Sequence, residues 1–221
     1  MRLRAAKRLV VWSAAGFIFF LTAALVLLEL LGYRGPRDFT ELPDRLPSPE
    51  TVARNARRLI GTPYDLLNGR SQNLGGRMGC IVCADVPNPA YGLSGLSLRR
   101  LLEQDFRRHP EAYDTSGGNR PGNQFFHRRA RNLYAYFRAN NQLIGSPDSA
   151  HVGDLVFYSH RGGGPILHVT LVTRVDSTGY WVVESSPLPF FAWEHKRESI
   201  FGYRMVVRGL GRLMERTGGG K

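Results

Sequence analysis

Cys83 and His168 are the residues whose types and order most readily spell out chemistry. Cys83 sits in Gly79-Cys-Ile-Val-Cys-Ala-Asp-Val86, after a stretch rich in glycine and arginine, and His168 opens the apolar run His168-Val-Thr-Leu-Val-Thr173. The thiolate is the nucleophilic form of cysteine, and an imidazole held on one face of a strand is the base that would generate it. Glu184 closes the next apolar run, Trp181-Val-Val-Glu184, and an adjacent antiparallel strand would set it beside His168 to orient the ring. Each residue also has a plainer reading. Cys83 reads equally as a small buried hydrophobe between Val82 and Ala84, His168 as a solvent-facing strand histidine, and Glu184 as a strand-end surface charge. Cys80 adds a rival chemistry, because Cys80 and Cys83 have the spacing of a redox pair, although no βαβ pattern surrounds them.

Cofactor chemistry is not expected. The stretch from Gly69 to Gly79 lacks the Gly-Lys-Ser/Thr ending of a phosphate-binding loop. His109, His127, His151, His160, His168 and His195 are scattered without the close ligand spacing of a zinc site.

The elements that would position these residues follow from periodicity. Ser48-Pro-Glu-Thr51 starts a helix on which Val52, Ala56, Leu59 and Ile60 recur, and Gly61-Thr-Pro63 ends it. Residues 96–106 read as a short amphipathic helix. Residues 123–140 read as another, with Phe126, Ala130, Leu133, Tyr134 and Phe137 on one face. After Ser146-Pro147 the pattern changes to strands at 153–158, 166–175 and 180–184, the last two joined by Asp176-Ser-Thr-Gly179, with a fourth at 203–208. Helices followed by antiparallel strands predict an α+β domain.

In order along the chain, Leu59-Ile-Gly-Thr-Pro-Tyr-Asp65, the cysteine, His151-Val-Gly-Asp-Leu-Val-Phe-Tyr158, His168-Val-Thr-Leu-Val-Thr173 and Val183-Glu-Ser-Ser186 resemble the landmarks of NlpC/p60-type papain-like cysteine peptidases. The resemblance covers about residues 52–207. Cys83-Ala-Asp-Val86 and His127-Arg-Arg-Ala-Arg-Asn-Leu133 look closer to a group of secreted bacterial proteins without assigned function. It implies a papain-like core with Cys83 as nucleophile, His168 as base and Glu184 as the third member. Tyr64, Asp85 and Arg129 would be substrate contacts, and backbone amides around Cys83 would form an oxyanion hole. Wall peptides are the first substrate class it suggests, and lipid or protein acyl groups the second.

Three features depart from those peptidases. Val-Cys-Ala-Asp replaces their usual Asp-Cys-Ser-Gly, and the third member is a glutamate. Pro87 and Pro89 fall where a long helix would run, so that helix must be short, bent or absent. His127, Arg128 and Arg129 either grip an anionic substrate group or form a solvated helix face; Arg128 is expected on the solvated face.

The chain has 221 residues, enough for one domain with an appendage. From Leu9 to Leu28 no charge occurs, a span able to cross a bilayer as a helix, and Arg2, Arg4, Lys7 and Arg8 precede it. A retained anchor is expected in preference to a cleaved signal, since bulky residues fill Leu25 to Leu31. The basic stub then stays cytoplasmic and the main domain lies outside, in a bacterial periplasm or on the cell surface. The expected organisation is 1–32 stub and anchor, 33–50 a Pro/Gly-rich tether, 51–209 the papain-like, NlpC-type domain that the resemblance implies and 210–221 a flexible tail. The net charge of +12 favours anionic surroundings such as a membrane surface or wall polymer. Nucleic acid is not an expected partner, because no recognition motif appears. The remaining alternatives to a hydrolase are a non-catalytic basic module that binds wall or membrane, and the thiol-redox protein.

Overall fold

The helical spacing of Val52 and Ala56 and the alternation around His168 both become regular elements in a computed structural model. It describes residues 13, 15–24, 46–66, 79–123, 125–196 and 205–213. Residues 15–24 are helical (α1). The rest of the expected anchor, most of the expected tether, residues 69–78 of the glycine- and arginine-rich loop and residues 214–221 of the expected tail lie outside the described residues. Among the described residues no helix is long and apolar enough to cross a membrane.

Helix α2 (Pro49–Arg57) starts at Ser48, whose hydroxyl accepts from the Thr51 amide at 3.3 Å. The domain therefore begins inside the expected tether, and Leu46 already packs on its core. Helix α3 (Pro87–Gly92) is short, as the prolines require. Pro87 occupies the first turn, where its missing N–H costs no hydrogen bond. Asn55 ties the two helices together, donating to Ala90 O at 3.3 Å and Ser94 Oγ at 2.9 Å.

Helix α4 (Leu98–Arg108) is capped by Ser97 and buries Leu98, Leu101 and Leu102. Helix α5 (Ala130–Ala139) is shorter than its apolar periodicity predicts. Arg129 is extended (φ −109°, ψ 118°), which separates α5 from a 3₁₀ turn at Phe126–Arg128. Asn123 Oδ1 accepts from the Phe125 amide, a local bond that competes with helix continuation.

The strands form one antiparallel sheet in the order β1-β6-β2-β3-β4-β5. They are β1 (Leu143–Ile144), β2 (Leu155–His160), β3 (His168–Asp176), β4 (Gly179–Ser185), β5 (Ala192–Lys196) and β6 (Met205–Gly211). One face carries Leu155, Phe157, Val169, Leu171 and Val183 into a core with Val52, Ala56, Leu133 and Phe137 from the helices. The other packs Val156, Tyr158, Val172, Tyr180, Val182 and Leu210 together. This is an α+β domain, helices followed by an antiparallel sheet, as expected. Three details differ from expectation, the first being the two-residue strand β1, which has no counterpart among the expected strands. The edge strand β5 was hidden by its polar sequence, Trp-Glu-His-Lys. Strand β6 runs to Gly211, and Arg212 then grips Asp154 through bonds of 2.8 and 2.7 Å, so the domain continues into the expected tail.

Gly211 is a point of close approach between α5 and the sheet. A Cβ there would stand 2.7 Å from the Phe137 ring and 2.8 Å from Phe157, both fully buried. Gly211→Ala is expected to destabilise the domain by about 2 kcal/mol, read as a lower urea midpoint at unchanged slope.

Candidate active site

The segment carrying Cys83 has little regular structure of its own and is held by its neighbours. Ile81 N donates to Pro63 O and Asp65 N donates to Ile81 O, each at 3.0 Å. Ser185 Oγ, at the end of β4, donates to the same Ile81 carbonyl at 3.0 Å. Two residues further on, Cys83–Asp85 forms a single 3₁₀ turn packed against β3 and β4.

A charged clamp closes that turn. Asp85 Oδ2 accepts from the Val82 amide at 2.9 Å, and Arg128 grips the same carboxylate with Nε and a terminal nitrogen at 2.7 and 2.6 Å. The buried Asp65 lies 3.8 Å from the same guanidinium. Arg128 is only 14% exposed, which corrects its expected place on a solvated face. Asp85, expected as a substrate contact, has both oxygens engaged in this clamp. Arg129 forms no side-chain hydrogen bond or ion pair with a described residue; the charges it feels are those of Arg131 and Asp114, away from the thiol.

Strand register brings the remaining groups together. Leu171 opposes Val183 across β3 and β4, so His168 and Glu184 fall on one face, diagonal to each other. Glu184 opposes Trp193 across β4 and β5, so His195 falls on the same face, one diagonal further. His168 Nε2 is 2.7 Å from Glu184 Oε2. A carboxylate only accepts, so Nε2 donates, and Nδ1 is left for Cys83.

Burial would push the His168 imidazole down. The charge and hydrogen bond of the Cys83 sulfur, joined by Glu184, outweigh it and bring the ring to about 10. Burial would likewise raise Glu184, but the hydrogen bond from His168 and the charges of His168 and His195 hold it well below the usual carboxylate range. Tyr64, half-buried, is pushed up to about 12 by burial, then by the charges of Cys83 and Asp65, so its phenol keeps its proton beside the thiol.

His195 is the member that sequence reasoning passed over. Its Nε2 stands 3.2 Å from Glu184 Oε1, an ion-pair distance without the alignment of a hydrogen bond. Its Nδ1 donates to Lys196 O at 2.7 Å, and its ring stacks on Trp193 with centroids 4.2 Å apart. The one available signal was parity: on an edge strand paired with β4, a histidine two residues beyond Glu184's partner must share its face.

Cys80 and Cys83 are both free thiols. Cys80 is buried, and that burial, with the charge of Asp65, pushes its thiol up. Among the described residues no cluster of three or more His, Cys, Asp or Glu side chains could hold a metal ion. The arrangement is that of one partly accessible thiol against one doubly held imidazole.

The raised His168 links the site to stability. Between pH 6.5 and about 10 the folded protein keeps a proton that the unfolded chain has released, so this contribution is complete below 6.5 and lost as pH rises through about 10. NMR titration should find the imidazolium persisting above pH 8, and Glu184→Gln or Cys83→Ser should each bring its midpoint down by more than one pH unit.

Residues 76–185, which hold Cys83, His168 and Glu184, match the family model described as "Domain of unknown function (DUF1287)". No curated protein matches the sequence. Similar solved structures include NlpC1 from Trichomonas vaginalis, at 15% identity and a TM-score of 0.45 over 79% of this chain and 47% of that one. An NlpC/P60 family protein from Bacillus cereus ATCC 10987 is similar at 14% identity and 0.46, over 81% of this chain and 43% of that one. The P60 domain of an M. avium subspecies paratuberculosis antigen is similar at 18% identity and 0.43, over 74% and 93%. The chain thus spans under half the length of the first two. The thiol, its imidazole and its carboxylate all fall within the stretch that is similar to the DUF1287 model.

Proposed function

We propose that this protein is a cysteine hydrolase or acyltransferase that cleaves an amide or ester through an acyl-enzyme on Cys83. The observation that carries this reading is the His168 ring held between the Cys83 sulfur and the 2.7 Å contact to Glu184. The Cys83 thiolate attacks the substrate carbonyl carbon, a C–S bond forms, and the carbonyl π electrons move to oxygen. The tetrahedral intermediate collapses, the C–N or C–O bond breaks, and the leaving group takes the proton of the His168 imidazolium. Water, deprotonated by His168, then attacks the thioester carbonyl and releases the acid and the thiolate. Glu184 holds the ring in one tautomer and orientation throughout. Backbone amides around Cys83 would meet the oxyanion, and Tyr64 would line the cleft beside the thiol.

The apolar span from Leu9 to Leu28 and the basic residues ahead of it support a domain tethered outside the membrane. The burial of Cys80 favours the single-nucleophile reading over a redox pair. Incubating the full chain in nanodiscs with wall fragments and with lipids, alongside Cys83→Ala, tests the proposal by mass spectrometry. Products are expected from the native protein only, with Cys80→Ser retaining activity; products formed equally by Cys83→Ala would overturn the mechanism.

A further inference from the structure

Two imidazoles hold Glu184, and they differ in what lies beyond them. His168 donates through Nε2 to Glu184 Oε2 and has the Cys83 sulfur on its other side. His195 has Nε2 3.2 Å from Glu184 Oε1 and the carbonyl of Lys196 on its other side. Those two contacts decide how many protons His195 carries. A carbonyl only accepts, so the 2.7 Å contact to Lys196 O puts a proton on Nδ1. Nε2 is buried against a carboxylate oxygen, which repels a lone pair and attracts a proton. Trp193 stacks on the ring with centroids 4.2 Å apart and planes 24° from parallel, a placement that favours a cation. His195 is on these grounds an imidazolium.

Its charge is directed at Glu184. Ser186 Oγ is 3.5 Å from Oε1, but its single proton goes to Leu188 O at 2.6 Å. The other titratable groups on the side of the two rings are Cys83 from the turn, Tyr158 from β2 and Tyr180 from β4. Glu194 and Lys196 alternate to the opposite face of β5, where Glu194 pairs with Arg57 at 2.8 Å. With the thiol ionised, Cys83, His168, Glu184 and His195 therefore form a row of alternating charge with no net charge.

Acylation removes the first charge of that row, because the sulfur becomes a neutral thioester. Glu184 is then the anion left against His168, and unopposed it would hold the ring protonated. The next step needs the ring neutral: water adds its oxygen to the thioester carbon and passes a proton to His168, and the C–S bond breaks with its electrons on sulfur. We infer that His195 is a positioning residue for this second half of the reaction: its positive charge balances Glu184, so that the carboxylate orients the His168 ring without keeping its proton. The inference rests on the acyl-enzyme reading and assigns it a fourth member.

The experiment acetylates Cys83 of the full chain in nanodiscs with p-nitrophenyl acetate, removes excess reagent, and follows loss of the acetyl group by mass spectrometry across a range of pH. The rate should rise with pH as His168 gives up its proton. His195→Gln, which keeps a polar side chain but removes the charge, should move the midpoint of that rise upward by about one pH unit or more. Arg57→Gln, which removes the cation paired with Glu194 on the opposite face, leaves the midpoint in place. A His195 that only supports the fold would lower stability without moving it. A midpoint that stays or falls in His195→Gln, or moves as far in Arg57→Gln, overturns the proposal and leaves the acyl-enzyme reading standing. A Cys83 that cannot be acetylated overturns that reading, and the proposal with it. The native chain supplies a check that needs no variant to fold: nitrogen-15 NMR near neutral pH should find both His195 ring nitrogens protonated, and a ring with one proton overturns the proposal.

Discussion

A fully buried carboxylate is the constraint around which this domain is arranged. Glu184 has no exposure to water, and an ionised carboxylate taken from water costs several kcal/mol unless neighbours replace its hydration. Here the neighbours are two imidazoles on flanking strands, one for each oxygen. That requirement dictates the register of β3, β4 and β5, because a one-residue slip on either side would turn a histidine to the opposite face. The site is therefore less an addition to the sheet than the reason its pairing is specified at that end.

Cys83 is placed by a second, separate set of forces. Pro87 and Pro89 rule out a long helix behind Cys83, so little helix dipole is available to the thiol. The position of the turn instead comes from three bonds to and from Ile81 and from the Arg128 fork on Asp85. The charged group set against the thiol is the His168 imidazole rather than a helix terminus, and the fork, beside buried Asp65, keeps the turn from sliding along the strands.

Much of this could be read from the chain before folding was considered. His168 and Glu184 were legible because apolar alternation marks a strand and parity then fixes which side chains share a face. The shortness of α3 was legible because proline's effect on a helix is local. What escaped was tertiary. Arg128 lies in a basic triplet ahead of a helix, and nothing local distinguishes an exposed arginine from one drawn inward by two aspartates 43 and 63 positions away. His195 escaped because its strand is polar and pairs only through the sheet edge. The early end of the tether and the late end of β6 were missed because Leu46 and Arg212 are held by packing and pairing rather than by propensity.

The turn that carries Cys83 has a consequence for the order in which the molecule assembles. Apart from the local bond between Asp85 and the Val82 amide, its partners come from positions 64, 128 and 168, so most of the contacts that hold the turn are non-local, and non-local contacts form late and slowly. A chain made from its N-terminus exposes both thiols before the strands that bury Cys80 and hold the imidazole exist. In the nascent polypeptide the Cys83 sulfur therefore has no imidazole beside it; His168 reaches it only when β3 and β4 pair and dock.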